Sequence, residues 1–123
     1  MYTLSVETMI STAHRLRDYD GPCARIHGHN WKIRLEVKAT VTDDKGIVLD
    51  FTTLEQNLQQ VTSSYDHQLI NDVSPFDVLN PTAENLAKHI YDQVEKLLPA
   101  QIRMKKISVW ETDRYMVSYE GKK

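Results

Sequence analysis

The sequence is poor in the residues that staple a fold, span a bilayer or bind by bulk charge. It has a single cysteine, so no internal disulfide can form and a disulfide-built scaffold is excluded. No apolar run approaches the roughly 18 residues of a membrane span. Neither sign of charge dominates: 15 basic and 17 acidic side chains leave a net −2, without the basic stripe of a nucleic-acid binder. The opening MYTLSVETMI lacks the basic head and apolar block of a secretory signal. With the lone cysteine, this points to a reducing, cytoplasmic setting. There are only four glycines and four prolines, and no repeat, low-complexity stretch or linker, so residues 1–123 are expected to form one domain. The 41% of hydrophobic residues suffice for a core, since a chain of this size buries roughly two-thirds of its unfolded surface.

What is present is strong periodicity. Over residues 2–12, Tyr2, Leu4, Val6 and Ile10 alternate with Thr3, Ser5 and Glu7, the pattern of a half-buried strand. Over 30–42, Trp31, Ile33, Leu35, Val37, Ala39 and Val41 share one face; Lys32, Arg34, Glu36 and Lys38 share the other. Asp43 to Gly46 read as a turn and Ile47 to Leu49 as a short returning strand. The chain then changes period. Phe51, Leu54, Leu58, Val61 and Tyr65 mark a helix, with Thr52 and Glu55 fitting a capping box and Asp50 capping or turning the chain before it. Leu86, Ile90, Val94 and Leu97 mark a second helix between Pro81 and Pro99. Ile107 to Glu111 and Tyr115 to Tyr119 are the last strands. This order predicts an α+β fold with antiparallel pairing and both helices on one sheet face.

Carrying strand parity into the loops singles out three histidines. Ile10 leads through Thr12 to His14, and Trp31 leads back through His29 to His27. Residues i and i+2 of a strand share a face, so the three imidazoles fall on the apolar side and can converge on one ion. Three nitrogen ligands with an open position describe catalytic zinc, although imidazole also suits iron, copper and nickel. An HxH pair alone is a weak signal, and a lone histidine on an apolar face is more often a hydrogen-bonded pocket residue. His14 on a parity-matched strand is what strengthens the case.

Other residues carry open alternatives. Cys23 reads as a fourth metal ligand, as a small hydrophobe, or as a reactive thiol with a lowered pKa. Asp66 precedes His67, a pairing that can charge an imidazole for proton transfer, but at a helix end it equally reads as a cap beside a surface imidazole. Glu111 shares parity with Ile107 and Val109. A carboxylate on a buried face is costly unless paired, so it either meets an internal cation or awaits a ligand with N–H donors. Arg15, Arg25 and Lys32 lie near these motifs and read most simply as solvated surface, and His89 has no assigned role.

The motifs ISTAHRL, CARIHGHNW, VLDF, YDHQLIND, NPTAEN and WETD, in this order, resemble the 6-pyruvoyltetrahydropterin synthase superfamily, over roughly Leu4 to Gly121. The CxxxHGH spacing resembles its carboxy-forming branch in queuosine biosynthesis, whereas the ending ETDRYMVSYEG resembles the pyruvoyl-forming branch. Ile10 stands where the family often has phenylalanine.

The resemblance implies the tunnelling fold (T-fold), an antiparallel four-stranded sheet with two helices on one face. It further implies a homohexamer, a dimer of trimers, with active sites between subunits. By position it implies zinc on His14, His27 and His29, and proton transfer by Cys23, Asp66 and His67. Glu111 would anchor the pterin ring, with Thr82 and Glu84 in a pocket-lining stretch. The implied substrate is 7,8-dihydroneopterin triphosphate and the implied product 6-carboxy-5,6,7,8-tetrahydropterin, with acetaldehyde and triphosphate released. Two rivals are the pyruvoyl-forming reaction, without side-chain cleavage, and a non-catalytic zinc-stabilised binding module. A zinc hydrolase would call for an HExxH helix, which the sequence lacks.

Overall fold

The computed structural model describes residues 1–122 except for the Cys23 side chain, so the readings of that thiol lie outside the described residues. Strands β1 (Tyr2–His14) and β2 (His27–Ala39) pair antiparallel without a slip, from Tyr2 opposite Ala39 to His14 opposite His27. Strand β3 (Arg103–Thr112) takes the other edge of β2, and β4 (Tyr115–Tyr119) completes the order β1-β2-β3-β4. Alternation decides which face is dry: Trp31, Ile33, Leu35 and Val37 are fully buried. On the wet face, Arg34 reaches Glu7 at 2.6 Å and Lys32 stands over the Trp110 ring at 4.2 Å.

Helices α1 (Phe51–Thr62) and α2 (Ala83–Glu95) cover the dry face. Leu54 and Leu58 of α1, with Leu86, Ala87, Ile90 and Val94 of α2, pack into one core with Val6, Ile10, Ile107 and Val109. The segment between the helices keeps to the outer edge of β1, where Leu69 bridges to Ala13, and it is pinned inward by Tyr65, Ile70 and Phe76. No helix among the described residues is long and apolar enough to cross a membrane.

Three details depart from the sequence-based expectations. Ile47 to Leu49 form no strand, because both edges of β2 are already taken by β1 and β3. Instead the Asp43 carboxylate accepts from the Lys45 and Ile47 N–H groups, and Gly46 supplies a φ of 82° that favours glycine. Val41, expected inward, is 68% exposed, since pairing stops at Ala39. The N-cap of α1 is Asp50, whose carboxylate accepts from the Thr52 N–H at 2.7 Å, rather than Thr52 in a capping box.

Two bulges shape β3. Lys106 faces Glu36 but Met104 faces Val37, so Lys105 is an extra residue. Met104 and Ile107 are consequently both buried at a spacing that period two excludes, which is why alternation locates only the later part of this strand. Further on, Trp110 faces Met116 and Thr112 faces Tyr115. Glu111 is therefore the extra residue there, and bulges re-aim side chains.

Leu58→Ala should cost about 2–5 kcal/mol, read as a lower urea midpoint at unchanged slope. Asp50→Ala should cost about 1 kcal/mol, and no loss there would mean the cap is not used.

Candidate metal centre

The unbroken β1–β2 register carries the parity of the core beyond its last aliphatic residues. His14 and His27 end up as direct cross-strand partners, with His29 two pairs further in, opposite Thr12. The ring centroids lie 4.5 Å apart for His14 and His27, 4.8 Å for His27 and His29, and 5.4 Å for His14 and His29. Trp31, fully buried, forms the floor, edge-on to His14 at 5.0 Å and to His29 at 5.6 Å.

Backbone carbonyls set the tautomers of two rings. The His14 Nδ1–H donates to the Pro81 carbonyl at 2.8 Å, and the His27 Nδ1–H donates to the Arg25 carbonyl at 2.7 Å. A carbonyl only accepts, so Nδ1 carries the proton and Nε2 presents its lone pair. This outer hydrogen bond is the arrangement that orients imidazole ligands. The Nε2 atoms of His14 and His29 are buried without a hydrogen-bond partner, a costly state unless something binds there. Burial is the main cause holding both imidazoles below the usual histidine pKa, outweighing the nearby Glu111 carboxylate. Neutral rings are what a metal ion requires.

Glu111 completes the cluster. Its Oε1 lies 3.1 Å from His29 Nε2 and 3.6 Å from His14 Nε2. Ligand atoms of His14, His27, His29 and Glu111 all fall within 4.8 Å of one another. The four side chains form a group able to hold a metal ion, and the donor set, three imidazoles and a carboxylate, fits zinc.

Asp66 and His67 meet each other at the outer edge of β1. His67 adopts φ 57°, which turns its ring back so that Nδ1 lies 3.1 Å from Asp66 Oδ1. The same carboxylate oxygen accepts from the Ser11 N–H at 2.8 Å, while the His67 N–H donates to the Ser11 carbonyl. That Ser11 hydrogen bond, more than His67, holds the Asp66 carboxyl below its usual range. The His67 ring is 79% exposed and lines a cleft of about 450 Å³ with Ser11, Ala13, Gly28 and Asn30. Those four alternate in sequence with the cluster residues, but Thr12 and His29, which share the cluster's parity, line the cleft as well, so it wraps the end of the β1–β2 ladder.

The NPTAEN stretch stands behind the centre. Thr82 caps α2, its Oγ1 accepting from the Asn85 N–H at 3.0 Å, and Glu84 is exposed on the first turn. More informative are residues the sequence reading passed over. The Asn71 and Asn80 side chains each bond both the N–H and the carbonyl of one residue, Arg15 and Arg17 respectively. Arg17 in turn donates to the Phe76 carbonyl at 2.7 Å. Together they lock the loop that delivers the Pro81 carbonyl. The asparagines of IND and NP were a visible signal, but carbonyl partners leave no mark in side-chain identity.

A family model described as 6-pyruvoyl tetrahydropterin synthase matches residues 3–122. The chain is 35% identical over 102 residues to the 6-carboxy-5,6,7,8-tetrahydropterin synthase of Bacillus subtilis, covering 79% of this chain and 68% of that one. It is 32% identical over 95 residues to the dihydroneopterin monophosphate aldolase of Pyrococcus furiosus, covering 77% and 78%. In fold it matches the 6-pyruvoyl tetrahydropterin synthase of Caenorhabditis elegans with a TM-score of 0.88 at 24% identity, over 98% of this chain and 96% of the other.

Loss of a cluster histidine should be severe. His27→Ala should weaken divalent-metal binding by more than the about 10–100-fold typical of an outer-shell partner, measured by competition with a chromogenic chelator. Acid should also destabilise the metal-free protein. His14, His29 and His89 have lowered pKa values when folded, so the unfolded chain binds more protons and stability rises with pH. The urea midpoint should fall as pH drops from about 7.5 through the unfolded histidine value near 6.5. A flat profile would contradict buried neutral imidazoles.

Proposed function

Since the chain belongs to the 6-pyruvoyl tetrahydropterin synthase family, we propose that it converts 7,8-dihydroneopterin triphosphate and one water to 6-carboxy-5,6,7,8-tetrahydropterin, acetaldehyde and triphosphate, in queuosine biosynthesis. The observation that carries this reading is the cluster of His14, His27, His29 and Glu111, in a chain 35% identical to a protein of that name. His14, His27 and His29 would hold zinc, which supplies Lewis acidity toward the substrate's side-chain hydroxyls.

The chain's own groups would do the rest. The Glu111 carboxylate would accept from the ring amide N–H and the exocyclic amino group, fixing the ring's orientation. Cys23, as thiolate, would take a proton from the side chain. His67 would carry a second proton, with Asp66 stabilising the imidazolium. Thr82, as a cap, and Glu84 would act through the shape of the pocket wall. Redistributing electrons within the substrate reduces the ring without an external reductant, and carbon–carbon cleavage then releases the two-carbon fragment.

The assembly we infer is a homohexamer, a dimer of trimers, in the cytoplasm. Supporting it, the Asp66–His67 pair is held at the outer edge of β1 by Ser11, and the His67 ring is 79% exposed, open to a neighbouring copy. A second reading, the pyruvoyl-forming reaction, draws on residues 111–121, whose sequence resembles that branch.

Product analysis separates the readings. Zinc-loaded protein incubated with 7,8-dihydroneopterin triphosphate should give acetaldehyde and the 6-carboxy product by mass spectrometry. A 6-pyruvoyl product without acetaldehyde would favour the second reading, and a different aldehyde fragment would favour an aldolase. Inert, folded, metal-replete protein would favour a binding module. Cys23→Ala should keep fold and metal while losing about 10²–10⁴ in rate; loss of metal would make the thiol a ligand instead. His27→Ala and His67→Ala chains, each inactive alone, should regain activity when mixed, and no regain would place both groups in one chain's site.

A further inference from the structure

The position of Glu111 is unusual for a group that only recognises a ring. Its Oε1 is within hydrogen-bond distance of His29 Nε2, at 3.1 Å, close enough to act on its charge, yet the pair lacks the direction of a hydrogen bond. His14 Nε2, 3.6 Å from the same oxygen, is also unpartnered, and the His14 side chain is 2% exposed. Distance without direction is how atoms look when they surround a common point rather than face each other. For bonds of about 2.0–2.2 Å in a tetrahedral shell, neighbouring ligand atoms stand about 3.3–3.6 Å apart, close to both separations. The bulge in β3 that makes Glu111 an extra residue gives its backbone an orientation that regular pairing would not.

We propose that Glu111 is a displaceable fourth ligand, closing the coordination shell of His14, His27 and His29 until a ring with adjacent N–H donors draws the carboxylate away. The ring half of this rests on the pterin reading above. Two parallel hydrogen bonds to an amide N–H and an amino group occupy both carboxylate oxygens, as in a guanidinium–carboxylate fork. Each oxygen keeps a second lone pair, so the competition is one of orientation: turning the carboxylate onto the ring edge swings Oε1 away from the histidine nitrogens. Ring binding and an open coordination position are therefore the same event, and the ion is withheld from stray hydroxyl ligands until the correct ring arrives. Linkage requires the converse: the metal in its closed state must weaken ring binding.

The test uses the cobalt-substituted full chain and 6-methylpterin, which has the N–H edge but no side-chain hydroxyls. Wild type should change its visible cobalt spectrum on adding 6-methylpterin. Glu111→Gln should start with an altered spectrum and not respond. Zinc affinity should fall about 10-fold or more in Glu111→Gln, a loss at the lower end of known outer-shell effects or beyond. It should also fall in wild type when 6-methylpterin is present. Glu111→Asp, which keeps the charge but shortens the reach, should behave like Glu111→Gln; circular dichroism would establish that both variants fold.

Identical cobalt spectra and zinc affinities for wild type and Glu111→Gln would overturn the proposal. So would 6-methylpterin bound, by calorimetry, beside an unchanged wild-type spectrum. Absence of any 6-methylpterin binding would overturn the displacement step through failure of the pterin reading itself, a result distinct from ring bound without release.

Discussion

The continuous pairing of β1 with β2 is the constraint on which the rest depends. A strand's side chains alternate with a period of two, so one slip would send every residue beyond it to the other face. Here no slip occurs between Tyr2–Ala39 and His14–His27. The same parity that buries Ile10 and Trp31 therefore aims His14, His27 and His29 at one point. The histidine cluster is an extension of the hydrophobic core past its aliphatic end, and its rigidity is borrowed from that core.

Polarity is then handled by surrounding the cluster with backbone. The Pro81 and Arg25 carbonyls take the Nδ1 protons, leaving the Nε2 lone pairs inward, and the fully buried Trp31 closes the floor. The price is a set of unpartnered buried nitrogens. Such atoms are the usual mark of a site whose stability and function are in tension.

Much of this was legible in the sequence, for a physical reason. Period-two alternation is a local property, and it located β1, β2, the buried face and the side on which all three histidines lie. It also singled out Glu111 as a carboxylate at an inward position. It failed where nonlocal facts decide. Ile47 to Leu49 look like a strand, but no free edge of β2 is available to them. Met104 and Ile107 break alternation because of a bulge set by pairing with β2. Thr52 and Asp50 are both competent caps by composition, and only the position of the helix start chooses Asp50. The contact between Asp66 and His67 depends on a left-handed backbone at His67, which residue type scarcely signals. Their placement depends on the inter-helix segment running along the outer edge of β1.

The clamp formed by Asn71 and Asn80 has a consequence in time. His14 keeps its tautomer through a carbonyl 67 residues away in sequence, delivered by a loop that those two side chains fasten to residues 15–17. Each time that loop opens, the Nδ1 proton loses its acceptor and the imidazole is free to rotate away. The orientation of a cluster imidazole therefore depends on a loop that contributes no side chain to the cluster, and exchange of the Arg15 and Arg17 amide protons would report its opening.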